Sequence, residues 1–191
     1  MNFFELLQEM KFDAASEDRI KSISSEELIT LIHKLATDAF GSQAVHYYGG
    51  HSEPTIDITI GNRHFSMHTK EIDRSGVGDT RRLPEGMPAI YISFNWDNKP
   101  AHDERSQKKD ADSTYAVRLE IQKDTLEGMH KIRDSIIRPL STYAVGITYI
   151  PIGDRRKSLY QGILSTSGFK PIRGSWDDYW VPANLKLKGE S

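Results

Sequence analysis

The chain has 191 residues, 37% hydrophobic and 27% charged, which suits one soluble globular domain with a single core. A formal charge of −2, from 25 Lys and Arg against 27 Asp and Glu, excludes a protein that coats nucleic acid by bulk electrostatics. With no cysteine, the sequence excludes a disulfide scaffold, cysteine-ligated zinc, iron–sulfur clusters and thiol catalysis.

Asn2 to Phe12 places Phe3, Leu6, Leu7 and Met10 at i, i+3, i+4 and i+7, the pattern of a short amphipathic helix. This start has no basic n-region, Glu5 interrupts any secretory h-region, and no apolar run reaches the roughly 18 residues of a membrane span. A reducing cytosol, or a virion, is the expected setting, with no membrane partner. After the polar stretch Asp13–Lys21, Ser24 and Glu27 form a capping box ahead of the stripe Leu28, Leu31, Ile32, Leu35 and Ala39, which predicts a helix ending at Gly41.

From about Val45 the period becomes two. Ile56–Ile60 and His64–His68 flank Gly61-Asn62 as a β-hairpin. Ile72–Met87, with Gly76, Gly78, Gly86 and Pro84, reads as a long loop, and Ala89–Phe94 as a third strand. Asp97–Ser113 is dense in both charges, and Tyr115–Ile121 is expected to be the fourth strand. Asp124 and Glu127 cap a helix lined by Leu126, Met129, Ile132 and Ile136, which Pro139 should stop. The apolar run Tyr143–Ile150 predicts a strand buried on both faces. Asp154 to Gly168 predicts a helix with Leu159, Tyr160, Ile163 and Leu164 inward, followed by a hairpin of Lys170–Arg173 and Tyr179–Val181. The segment after Ala183 reads as a frayed tail. The expected fold is α+β or mixed α/β: a central, mostly antiparallel sheet of about six or seven strands flanked by helices. Residues 1–191 form one domain, with 1–23 a helix and linker, 24–182 the core and 183–191 a tail.

The run Leu159-Tyr160 through Gly168-Phe169, set in strand–helix–strand–helix–strand order from Tyr115 to Val181, resembles the C-terminal half of the GCN5-related N-acetyltransferases. The wording match covers about fourteen residues, and the topology match about Ser24 to Val181. The resemblance implies acetyl-CoA lying where two neighbouring parallel strands splay, expected between Tyr115–Ile121 and Tyr143–Ile150. It implies a pyrophosphate held at the N-terminus of the following helix, here by Gln122, Lys123 and Gly128. It also implies Glu120 as the base that takes a proton from the attacking amine and Tyr160 as the acid that protonates the leaving thiolate. The turn has one displaced glycine instead of a glycine-rich phrase. Asp124 and Glu127, at about 4–6 Å, would oppose a pyrophosphate. Tyr160 stands one turn earlier than the family's tyrosine, whose place is taken by Leu164.

A different class of function is a non-catalytic binding or structural protein, for instance a viral one, that presents this scaffold to a protein or nucleic-acid partner. Arg81, Arg82, Arg155, Arg156, Trp176 and Trp180 are the residues that would make the contact. Arg155 and Arg156 open a helix, where positive charge opposes the dipole. Histidines give a weaker signal. His64 and His68, four apart on a strand, are about 13 Å from one another and cannot share one ion, so no metal is expected. Asp57 with Glu120 and Lys123 has the residue types of a metal-dependent nuclease, but a Glu-x-x-Lys spacing breaks the strand alternation such a site uses.

Overall fold

The capping box predicted at Ser24 forms. Glu27 N–H donates to Ser24 Oγ at 3.2 Å and Ser24 N–H donates to Glu27 Oε2 at 2.8 Å, which starts helix α1, Ser25–Phe40. Gly41 closes it at φ 83°, a conformation that disfavours any residue with a Cβ. The structure, a computed structural model, describes residues 20–49, 53–61, 63–74, 78–95, 124–149, 154–174 and 179–189. The remaining elements are β1, Val45–Tyr48; β2, Thr55–Ile60; β3, Arg63–Lys70; a 3-10 turn, Asp79–Arg82; and β4, Ala89–Asn95. Helix α2 runs Asp124–Ile132, Arg133–Ile137 and Arg138–Leu140 without a break. Then come β5, Gly146–Thr148; α3, Asp154–Thr166; β6, Phe169–Ile172; and β7, Tyr179–Pro182.

The fold is α+β: among the described residues a seven-stranded open sheet in the order β1-β2-β3-β4-β5-β7-β6 is accompanied by three helices. Every pairing is antiparallel except β4 with β5. Alternation sends Ile56, Ile58, Phe65, Met67, Ile90, Ile92 and Ile147 to one face, where they form a single core with buried residues from all three helices. A second cluster covers the opposite face around Ala89, Ile172, Tyr179 and Val181. It is built from Ile72, Leu83 and Met87 of the loop before β4 and from Leu185 and Leu187 after β7. The tail is therefore docked through residue 189, where the sequence suggested fraying. Lys188 N–H donates to Arg82 O at 2.8 Å, and Arg82 Nε donates back to Lys188 O at 3.1 Å.

Two further expectations are corrected. The four-stranded meander consists of β1 to β4, and begins one strand earlier than the sequence indicated. β1 has one buried residue followed by three exposed ones, so no apolar alternation announces it. Tyr115–Ile121 lies outside the described residues. Pro139 does not stop α2. It lacks the N–H that would bond Ser135 O, and its ring would strike that carbonyl in a regular α-helix. The preceding turn widens to π geometry instead, and Arg138 N–H reaches Arg133 O.

The cap has a pH signature. Hydrogen bonds from Ser24 hold the Glu27 carboxyl below its usual range, and those from Arg133 do the same for Asp134. A carboxylate depressed on folding stabilises above its unfolded pKa of about 4 and ceases to as pH falls through its lower folded value. Glu27→Gln should therefore melt below wild type at pH 7 and converge with it in thermal melts as pH falls through the depressed pKa of the folded carboxyl. A gap that persists at low pH would assign the effect to something other than the cap carboxylate.

Candidate site at the β4–β5 wedge

The single parallel pairing lies in the middle of the sheet, and it is short. Ala89 pairs with Gly146, Ile90 with Ile147 and Tyr91 with Thr148. β4 continues for four more residues on β3, out to Asn95 opposite His64, whereas β5 ends at Thr148. Among the described residues, Ile92–Asn95 thus have no strand on the side that β5 occupied. Gly146 opens this pairing in close-packed but unstrained surroundings. A Cβ there would lie 3.4 Å from Ala89 Cβ and 3.5 Å from the Tyr179 ring.

Ile147 pairs with Ile90 on one side and Trp180 on the other, so both edges of β5 are taken. The parallel neighbour of β5 is therefore β4, and the pairing expected with Tyr115–Ile121 gives way to it. Beyond the last paired residue, Tyr149 stacks on Tyr160 of α3 with centroids 4.7 Å apart and planes at 29°. Tyr160 is 3% exposed and belongs to the main core. On the β4 side, Ser93 is buried two residues past the last pair, and its Oγ has no hydrogen-bond partner. The chain matches no family model, no curated protein and no solved structure.

The other residues singled out in the sequence fall in several places. Glu120, Gln122, Lys123 and Trp176 lie outside the described residues. Gly128 lies on α2 against β2, where a Cβ would come within 2.4 Å of Ile60 Cγ2, so close helix–sheet packing accounts for this glycine. β2 and β5 are three strand spacings apart, roughly 14 Å, so Gly128 and Tyr160 do not converge. Arg155 and Arg156 occupy the first turn of α3. Arg81 and Arg82 end the 3-10 turn, where Arg82 lies 3.6 Å from Asp79 and ties down the tail. Trp180, expected at a partner-facing surface, is instead 7% exposed, because its place in β7 turns it toward the helix-covered core.

Among the described residues His46, His64 and His68 lie on the meander, His33 on α1 and His130 on α2. His68 Nε2 lies 3.7 Å from Glu53, and its ring lies 4.7 Å from that of Tyr91. Among the described residues no three His, Asp or Glu side chains are grouped to hold a metal ion. Nor does any described helix have the length and apolarity to cross a membrane. Tyr91, Ser93 and Tyr149 went unnoticed in the sequence. Each looks there like an ordinary strand residue, and only knowledge of which strands are parallel neighbours marks it.

Proposed function

We propose that this chain binds an acyl-CoA thioester in the wedge between β4 and β5 and is acetyltransferase-like in architecture. One observation carries this reading. The parallel pair at the sheet centre is joined over three residues, after which β4 continues on β3 with, among the described residues, no strand on its other side. An unpaired strand edge offers N–H and C=O groups at fixed spacing, and the amide-bearing arm of CoA can bond to them as a peptide would. The partnerless hydroxyl of Ser93 is a further polar group on that stretch.

In the transfer that the resemblance implies, the amine nitrogen attacks the thioester carbonyl carbon and the C–S bond breaks. The amine loses its proton to a base, and the leaving sulfur takes one from an acid. Tyr160 is the candidate acid, with its ring fixed by Tyr149 at the residue where β5 ends. Glu120 remains the candidate base by resemblance alone. The competing reading, a non-catalytic partner-binding protein, loses Trp180 to the core and Arg82 to the tail, which leaves the acyl-CoA reading better supported.

Calorimetric titration with acetyl-CoA tests the proposal. Saturable heat with micromolar affinity, reduced at least about tenfold by Ser93→Trp in a variant that melts like wild type, is the expected result. No binding at millimolar acetyl-CoA would remove it.

A further inference from the structure

The end of the sheet opposite the wedge carries a groove of about 1180 Å³. It is bounded by the N-terminus of α1, the outer strand β1, the end of β3 and the segment entering β4. Buried Ile29, Ile72 and Met87 form its apolar wall. Its volume exceeds the roughly 300–1,000 Å³ of a small-molecule pocket, and its open shape suits an extended ligand.

Carboxylates outnumber cations in the groove, three to two. Glu26, Glu53 and Glu71 line it with exposed side chains. Glu26 and Glu71 have no side-chain partner among the described residues, and Glu53 has only His68 at 3.7 Å. The two cations present are already engaged. Arg74 donates to Leu83 O at 3.0 Å and to Pro84 O, and Lys70 has its own interaction. With three carboxylates against two cations the groove is net acidic by one formal charge, and the donors of Arg74 are turned to the backbone instead of to the carboxylates.

Tyr47 adds a direction. It lines the groove and is 51% exposed, and Tyr48 beside it is 48% exposed. These two are the exposed large hydrophobics among the described residues. Thr59 N–H donates to Ala44 O at 2.8 Å, which makes Ala44, His46 and Tyr48 the residues whose backbone groups point at β2. The N–H and C=O of Tyr47 therefore point away from β2, on the side of β1 where no strand lies among the described residues, beside the groove.

We propose that this groove binds an extended basic peptide, which pairs with the backbone of Tyr47 as an added strand and sets Lys or Arg side chains against Glu26, Glu53 and Glu71. The proposal does not rest on the acyl-CoA reading, because the groove and the wedge lie at opposite ends of β4. Main-chain bonds would supply affinity and the carboxylates selectivity.

The test is fluorescence anisotropy on the full chain with a fluorescein-labelled decapeptide of alternating Lys and Val, against the same peptide with Glu for Lys. The Lys probe should bind and the Glu probe should not. Reversal of the rim, Glu26→Lys with Glu71→Lys, should weaken binding at least about tenfold. Reversal of two exposed acids away from the groove, Asp38→Lys with Glu127→Lys, should change it less than about twofold. Tyr47→Pro, tolerated at a sheet edge, should also weaken it about tenfold. If that variant melts early, Tyr47→Thr keeps the strand and should weaken binding through loss of the ring. No binding of the Lys probe at 1 mM, equal losses for both reversals, or indifference to both Tyr47 variants would each overturn the proposal.

Discussion

Replacing Leu185 and Leu187 together with alanine should lower stability by at least about 4 kcal/mol, the sum expected from two buried leucines that each contribute about 2–5 kcal/mol. Both side chains are 6% exposed and sit in the cluster with Ile72, Leu83 and Met87. For a chain of this size the melting temperature falls about 2–4 °C per kcal/mol, so a drop of roughly 8–16 °C is expected in thermal melts. The exposed neighbour Lys186, changed to alanine, should stay within about 0.5 kcal/mol of wild type. The two leucines share one cluster, so their effects need not add, and the double variant is the informative one. A frayed tail would give almost no change in either variant. Wild-type melting of the double variant would thus refute the docking of residues 183–189.

Gly128→Val should cost about 3 kcal/mol. Its Cβ would fall 2.4 Å from Ile60 Cγ2 and 3.1 Å from Ile60 Cδ1. The branched Ile60 side chain, at the end of β2, is buried and stiff at χ1, so its Cγ2 yields little. Overpacking of this kind costs about 1–3 kcal/mol, and a β-branched residue adds crowding on the helix side. Gly128→Ala is the sharper probe. Alanine gains about 1 kcal/mol over glycine in a helix interior, so a net loss isolates the clash. In a double-mutant cycle with Ile60→Ala, the pair should be more stable than the sum of the two single losses predicts, because the smaller residue makes room for the new methyl group. Strict additivity in chemical denaturation would show that α2 does not press on β2 at this point.

The parts of the fold that local chemistry determines were legible in the sequence. Ser24 and Glu27 cap α1 as their spacing indicates, Gly61 marks the β2–β3 turn, and Gly168 closes α3 at φ 88°. The final hairpin forms from Phe169–Ile172 and Tyr179–Pro182, within one residue of the expected Lys170–Arg173 and Tyr179–Val181. Features set by the tertiary environment were not. Val45–Tyr48 is an edge strand with one buried residue, so its pattern carries almost no signal. Pro139 looks like a helix stop because the sequence does not show that a π turn can absorb it. Leu185 and Leu187 alternate with lysines, a pattern equally suited to an exposed segment, and only the loop at Ile72–Met87 gives them a surface to cover.

The candidate site was less legible than the fold. The sequence indicated a parallel pair at the sheet centre and the strand Tyr143–Ile150 as one member. The other member, β4, was read as the third strand of the meander because β1 went uncounted. Tyr160 was visible as an inward residue of α3, and its stacking on Tyr149 depends on where β5 leaves the sheet. Gly128 stood out as a glycine near a helix start, yet its reason is the approach to Ile60, a contact between residues 68 positions apart.

The brevity of the β4–β5 pairing bears on how the molecule opens. Three residues tie β5 to β4, and one register pair, Ile147 with Trp180, ties it to β7. The four-stranded block and the terminal hairpin are thus spliced through a single short segment, while each is stitched internally by longer ladders. Amide protons at the splice have the fewest neighbouring ladder bonds to protect them, so side-chain packing more than strand pairing holds the two blocks together, and both hydrophobic clusters span them.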